Sequence, residues 1–300
     1  MWVFQQETAA NAERFLVRIW DRREKGRRRM SNFWRYRTYL PAGTGYAYFS
    51  RPHIFMLSII GAAVALTYFW SRRVTAHTRQ VVLKVIPVGM TVMEVFKDWL
   101  LDIQGADMIG YLPLQLCSLG VLVFYFAAFS RRPRVKRFFG EIACVLIAPG
   151  AVAALLFPNW NHSYMLWSIF SIHSYGWHTM LLLFPVIFTA ERVMRREDGR
   201  TTISIGHIWY SVLFLCAVVP PVMWFDRKFD CNYMFLNWPS KGSPLVWIAD
   251  RMGNPGYLAG FAVLVFLILL AIYLSVELLR AVRRHSFASP RHCVEGGGRQ

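Results

Sequence analysis

A thiol, two imidazoles and a carboxylate stand in this chain where hydrocarbon is the rule. Leu112-Pro113-Leu114-Gln115-Leu116-Cys117-Ser118 opens a long apolar run and sets Cys117 in it, between an amide and a hydroxyl. His173 and His178 lie in a later apolar run, Ser171-Ile172-His173-Ser174-Tyr175-Gly176-Trp177-His178-Thr179. Polar groups inside a membrane span are costly and tend to mark function. A cysteine and a histidine facing each other there form an acyl-transfer pair: the imidazole takes the thiol proton and the thiolate attacks an ester. Five helical residues separate the histidines, a rotation of roughly 140°, so they cannot both face one partner. Depth, counted from a span start near Leu166, favours His173. The plainer alternatives are a cysteine that only packs helices and histidines bonded to backbone carbonyls.

Three more groups belong to the same chemistry. Glu94, Lys97 and Asp98 fall at i, i+3 and i+4 on one helical face, and Glu94 could orient an imidazole or simply pair with Lys97. Gln115 and Asn232 are polar donors for an oxyanion. Asn232 and Tyr233 sit in a long aromatic and proline-rich stretch, Asp226 to Pro255, that reads as a structured cap over an outward-facing site or as an aromatic belt without one. Pro113 suits the first turn of a helix, which would give Cys117 some help from the helix dipole.

The elements that must hold these residues are membrane helices. Of the 300 residues 55% are hydrophobic and 17% charged, with a mean hydropathy of +0.32; a soluble chain carries about 25% charged residues. Apolar segments near 52–70, 80–102, 110–130, 138–157, 163–190, 203–225 and 255–279 each reach the roughly 20 residues that cross a bilayer. No strand periodicity competes, so the fold class is all-α: a polytopic bundle of seven transmembrane helices. The segment at 163–190 is too long to sit upright, so it tilts or begins in the headgroups. Around this domain, 46–282, lie a basic arm at 1–45 and a disordered tail at 283–300.

Arg131, Arg132, Arg134, Lys136 and Arg137 mark one inter-span loop as cytoplasmic, as do Arg192, Arg195, Arg196 and Arg200 in another. Arg72, Arg73, Arg79 and the C-terminal Arg280, Arg283 and Arg284 agree. That places the N-terminus outside and the C-terminus in the cytoplasm. The arm conflicts with this, since residues 1–40 hold ten of the 34 Lys and Arg residues. A start at Met30 would remove eight of them. Phe15, Leu16, Ile19 and Trp20 alternate there with arginines as an interfacial amphipathic helix would, and a disordered basic tail is equally compatible.

The net charge of +17 follows the span ends, which points to anionic lipid and away from nucleic acid. Five cysteines without a C-x-x-C pair form neither a disulfide framework nor a zinc site. No metal and no cofactor is expected. The lack of a lysine in residues 255–279 argues against a retinal pigment.

Taken together, Leu112–Ser118, Phe49-Ser50-Arg51-Pro52-His53, Leu155-Leu156-Phe157-Pro158 and Asn232-Tyr233-Met234-Phe235-Leu236 resemble bacterial YwaF-type membrane proteins and the related animal transmembrane protein 164. The resemblance covers about residues 46–280, and His178, seven residues before Pro185, stands at the family's membrane histidine. It implies an integral membrane acyltransferase or lipid hydrolase acting on glycerophospholipid acyl chains, with Cys117 as nucleophile and His178 as base. Membrane phospholipids would be the substrate and a bacterial cytoplasmic membrane the location. Depth and family position thus nominate different histidines, and both remain open. A small-solute or ion transporter, with Glu94, Lys97, Asp98, His173 and His178 lining a polar cavity, is the alternative; no half-to-half repeat supports it.

Overall fold

A computed structural model describes residues 31–194, 201–240, 243 and 245–288. The expected interfacial helix around Phe15–Trp20, Met30, Arg195, Arg196, Arg200, Cys293 and the tail beyond Ala288 lie outside the described residues. The rods are α1 (Arg51–Arg73), α2 (Ala76–Asp102), α3 (Leu116–Phe129), α4 (Pro133–Leu156), α5 (Ile169–Phe188), α6 (Ile208–Phe229) and α7 (Leu245–Ala288). No strand occurs among the described residues. The all-α expectation holds. Four stretches are long and apolar enough to cross a membrane: α1, α4, Ile205–Phe229 and Pro255–Val282 within α7.

Two of the remaining segments differ from their expected bounds. The segment at 110–130 is helical only over the 14 residues of α3. Met108–Tyr111 forms a separate turn of 3-10 helix, and Pro113 lies outside the helix rather than in its first turn. The segment at 163–190 is helical only over the 20 residues of α5, so it needs no tilt to fit. Its start is fixed by Ser168, whose hydroxyl accepts the Ser171 N–H, a side-chain N-cap.

Helix α4 is central. Half of its apolar window is buried, against 11% for each of the other three spanning stretches. It is α-helical to Ile142, widens to a π turn over Ala143–Ile147 and resumes at Ala148. Pro149 explains the widening. It cannot donate to Val145 and its ring crowds that carbonyl, so the preceding turn opens to make room. Around α4 the core comprises Phe124, Ile142, Ala143, Leu181, Phe184 and Phe188. The outward stripes, such as Leu66 and Phe69 on α1, Val92 and Val95 on α2, and Val263 and Leu267 on α7, stay exposed as lipid-facing surface.

Helix α4 packs tightly where it meets the end of α5. A Cβ on Gly140 would overlap the Phe188 ring. Gly140→Ala is therefore expected to destabilise the protein by about 1–3 kcal/mol, the usual cost of overpacking; thermal unfolding of purified protein in detergent reads this directly. An unchanged midpoint would show that Phe188 swings aside freely.

Two polar clusters clip the same end of the bundle. Arg79 pairs with Glu191 at 3.1 Å and donates to the Val74 carbonyl, tying the α1–α2 turn to the end of α5. Glu141, fully buried, accepts from Tyr273 on α7 at 3.0 Å and lies 3.0 Å from Nδ1 of His207. This holds the outlying α6 and α7 to α4.

Candidate functional site

At the opposite end of the bundle, α3 and α5 run side by side in the same direction. Their register is set by two contacts. Gly120 leaves room for Leu181, whose Cδ2 would stand 2.8 Å from a Cβ there. One turn on, Phe124 and Phe184 stack with centroids 3.9 Å apart and planes within 6°. One turn back from Gly120 and Leu181 are Cys117 and His178. Each lies three residues before its contact partner on the same helical face. The register therefore sets Cys117 and His178 at about one level along the two helices. Cys117 packs against the core that includes Trp177 and Leu181. Its thiol is unpaired, and neither imidazole is hydrogen-bonded to it among the described residues.

The protonation pattern of His178 follows from its partner. Nδ1 lies 2.7 Å from the Ser174 carbonyl. A carbonyl only accepts, so Nδ1 carries the proton and Nε2 keeps its lone pair. The ring is 8% exposed, and the Trp160 indole stacks on it at 5.1 Å. The arrangement leaves one imidazole nitrogen with base character, its orientation fixed from the other side.

His173 faces elsewhere. Its Nε2 lies 3.5 Å from Glu94 on α2 without hydrogen-bond alignment, and its ring stacks on Trp177. Glu94 binds Lys97 at 2.5 Å, and Lys97 also reaches Asp98 at 3.2 Å. Glu94 thus stands beside His173. His173 and Lys97 border an apolar cavity of about 120 Å³ between α2 and α5.

Cys117 is the second residue of α3, after Leu116. The N-cap residue is Gln115, but its side chain does not cap the helix. Its Oε1 instead accepts the N–H of Met234, 2.8 Å away in the loop between α6 and α7. The first-turn amides of α3 are left without a side-chain cap, and they carry the positive end of the helix dipole.

That loop is a built cap. Met234 and Phe235 both have left-handed backbone, φ 52° and 60°, a conformation that costs non-glycine residues about 1–2 kcal/mol each. Their neighbours hold them there. Buried Asp226 accepts the Tyr233 N–H at 2.9 Å, and Tyr257 donates to the Phe235 carbonyl at 2.8 Å. The Tyr233 hydroxyl donates to the Ile109 carbonyl, and burial pushes this phenol up to about 12, so it stays a donor at any physiological pH. Asn232 is occupied within the loop: its Oδ1 accepts from Asn237 and Trp238, and its Nδ2 donates to the Trp238 carbonyl. One hydrogen of its Nδ2 lies beyond these bonds.

Several residues that shape this region carry no strong signal in the sequence. Trp160 stands out there only as an aromatic in a charge-free loop. His53 is fully buried; its Nδ1 accepts the Phe49 N–H and its Nε2 donates to the Leu155 carbonyl, stapling the start of α1 to the end of α4. Glu141 is detectable as an acid inside an apolar run.

Neither the curated proteins nor the solved structures give a significant match to the chain. The TMEM164 family model matches residues 48–273. That range begins just before the His53 staple, takes in α1 to α6, Cys117, both histidines and the Met234 cap, and ends at Tyr273. With most of its length matched in one continuous stretch and its helices apolar enough to span a bilayer, the chain belongs to the TMEM164 family of integral membrane proteins.

Proposed function

We propose that this protein is a membrane acyltransferase or lipid hydrolase that works on glycerophospholipid acyl chains through Cys117 and His178. The observation that carries the proposal is the shared level of the two side chains across α3 and α5, together with a His178 tautomer whose Nε2 is a base. Nε2 takes the thiol proton, and the thiolate attacks an ester carbonyl. The first-turn amides of α3, with the Gln115 amide beside them, hold the developing oxyanion. The ester C–O bond then breaks, and imidazolium returns the proton to the departing lyso-lipid alkoxide. An acyl thioester on Cys117 remains. A lyso-lipid hydroxyl or water, deprotonated by the same Nε2, attacks the thioester; the C–S bond breaks and the thiolate regains its proton from imidazolium.

The same proposal has all seven rods crossing the membrane, with the N-terminus outside and the C-terminus cytoplasmic. The basic residues at the Arg79, Arg131–Arg137 and Arg280 end support this by the positive-inside rule, and anionic lipid headgroups would meet them there. The thioester site then opens toward the outer leaflet, where membrane phospholipid is the available donor. The bacterial cytoplasmic membrane fits the likeness to YwaF-type proteins.

Trapping the intermediate tests the mechanism. Full-length protein in nanodiscs is given phospholipid with an alkyne-tagged fatty acid and quenched in acid. The expected label sits on Cys117, is released by neutral hydroxylamine and is missing from Cys117→Ala. Absence of label on the wild type, or its persistence on the variant, would sink the proposal.

A further inference from the structure

The residues before α1 fold back over the end of the bundle where Cys117 lies. Phe33 accepts the Ile169 N–H through its carbonyl, and the Tyr36 N–H donates to Gln104 at 2.7 Å. Tyr46 and Asn161 exchange two hydrogen bonds, the Tyr46 N–H to the Asn161 carbonyl and the Asn161 side-chain amide to the Tyr46 carbonyl. Gly45 lets the two strands of chain meet, for a Cβ there would collide with the backbone of Asn161 and His162. Gly43 turns the chain with φ +78°, a left-handed value that glycine adopts freely. Between arm and loop this leaves an open cavity of about 260 Å³, with Arg37, Thr38, Thr44, His162 and Ser163 among its walls.

Its chemistry is that of an oxyanion site. The Arg37 guanidinium donates through Nε to the Tyr36 hydroxyl at 3.1 Å and lies 5.6 Å from that ring. The groups acting on its charge are the phenols of Tyr36, Tyr111 and Tyr164; no carboxylate pairs with it among the described residues. Its two terminal nitrogens form a planar fork suited to phosphate oxygens. Imidazole and hydroxyls from His162, Thr38 and Ser163 add further partners.

The cavity also stands at the right place. Trp160, which stacks on His178, is two residues before His162 in the same loop. The cavity wall is thus part of the same short loop whose indole covers the proposed base. Resting on the reading of Cys117 and His178 above, we propose that this pocket binds the phosphate oxyanion of a phospholipid whose ester lies at Cys117, with Arg37 as the positioning residue. Arg37 precedes the family-matched range 48–273, so the contact belongs to this chain's own arm.

The test reads binding without turnover. Full-length Cys117→Ala protein in detergent, with and without Arg37→Gln, is titrated calorimetrically with dihexanoylphosphatidylcholine and with uncharged dihexanoylglycerol. Arg37→Gln is expected to weaken the phosphate-bearing lipid roughly tenfold, the scale of one charge-assisted hydrogen bond. The diglyceride should bind as before, and Arg37→Lys should recover part of the loss. Competition by millimolar inorganic phosphate would assign the pocket to free phosphate as well as lipid; Arg37 dependence without competition would assign it to headgroups. Equal weakening of both lipids, or no change in either, overturns the proposal. Arg37-dependent binding alongside a failed thioester trap would leave the pocket standing and remove the catalytic reading.

Discussion

Cys117→Ala and His178→Gln should each lower acyl transfer from labelled phospholipid by at least about a thousandfold, while His173→Gln should stay within tenfold of wild type. Loss of the sulfur removes the covalent route outright. Loss of the imidazole leaves a thiol in apolar surroundings with no base at its level, and a thiol is a far weaker nucleophile than its thiolate. Glutamine fills the space against Trp160 and can still donate to the Ser174 carbonyl, so packing survives and the base is lost. His173 is spared because its imidazole faces Glu94 on α2. A pair that acts as one unit, as proposed, makes the double variant no slower than the worse single variant. Rates on reconstituted protein of equal folded content decide the matter. A His173→Gln variant as slow as expected for His178→Gln, with His178→Gln near wild type, would hand the base to the Glu94-flanked imidazole.

Phe184→Ala carries the largest expected loss of stability, about 3 kcal/mol. Its ring lies flat on Phe124 and stacks also with Phe188, all three fully buried. In water a Phe→Ala change of this kind costs roughly 3–5 kcal/mol. Within a bilayer the transfer part shrinks, because lipid tails are as apolar as the core, but the lost packing remains. Unfolding in mixed micelles of rising denaturing-detergent fraction measures the difference, with Leu122→Ala on the lipid-facing side of α3 as a control expected within about 0.5 kcal/mol of wild type. Phe184→Ala should also slow transfer in the fraction still folded, since the stack helps fix the register that levels Cys117 with His178. A loss under about 1 kcal/mol would mean that α4 alone holds α3 and α5 in place.

The helices are legible because apolar runs near bilayer length leave the chain little choice of structure. What escapes the sequence is what depends on partners far along the chain. Pro113 has the credentials of a helix start. The helix nevertheless waits until Leu116, where Gln115 gives its carbonyl oxygen to Met234, 119 residues later. Depth counted from Leu166 favours His173; the Ser168 cap starts α5 later, and the register with α3 is what levels His178 with Cys117. Family position names His178, and the register of α3 and α5 puts that residue at about the level of Cys117. The bonds that Asn232 makes to Asn237 and Trp238 cannot be read from composition either.

Helix α3, at 14 residues, is about 21 Å long, against a hydrocarbon layer of roughly 30 Å. Leu122, Phe126 and Phe129 turn outward along it, so lipid rather than protein meets that short wall. Molecules beside it must compress or tilt to cover the mismatch, and the leaflet dimples locally. A dimple lowers the glycerol backbone toward the first turn of α3. On the proposed mechanism the ester then descends to the thiol, and no whole lipid has to be lifted out of the membrane. Bilayers of longer acyl chains would deepen the dimple at an elastic cost, which makes membrane thickness itself a control on turnover.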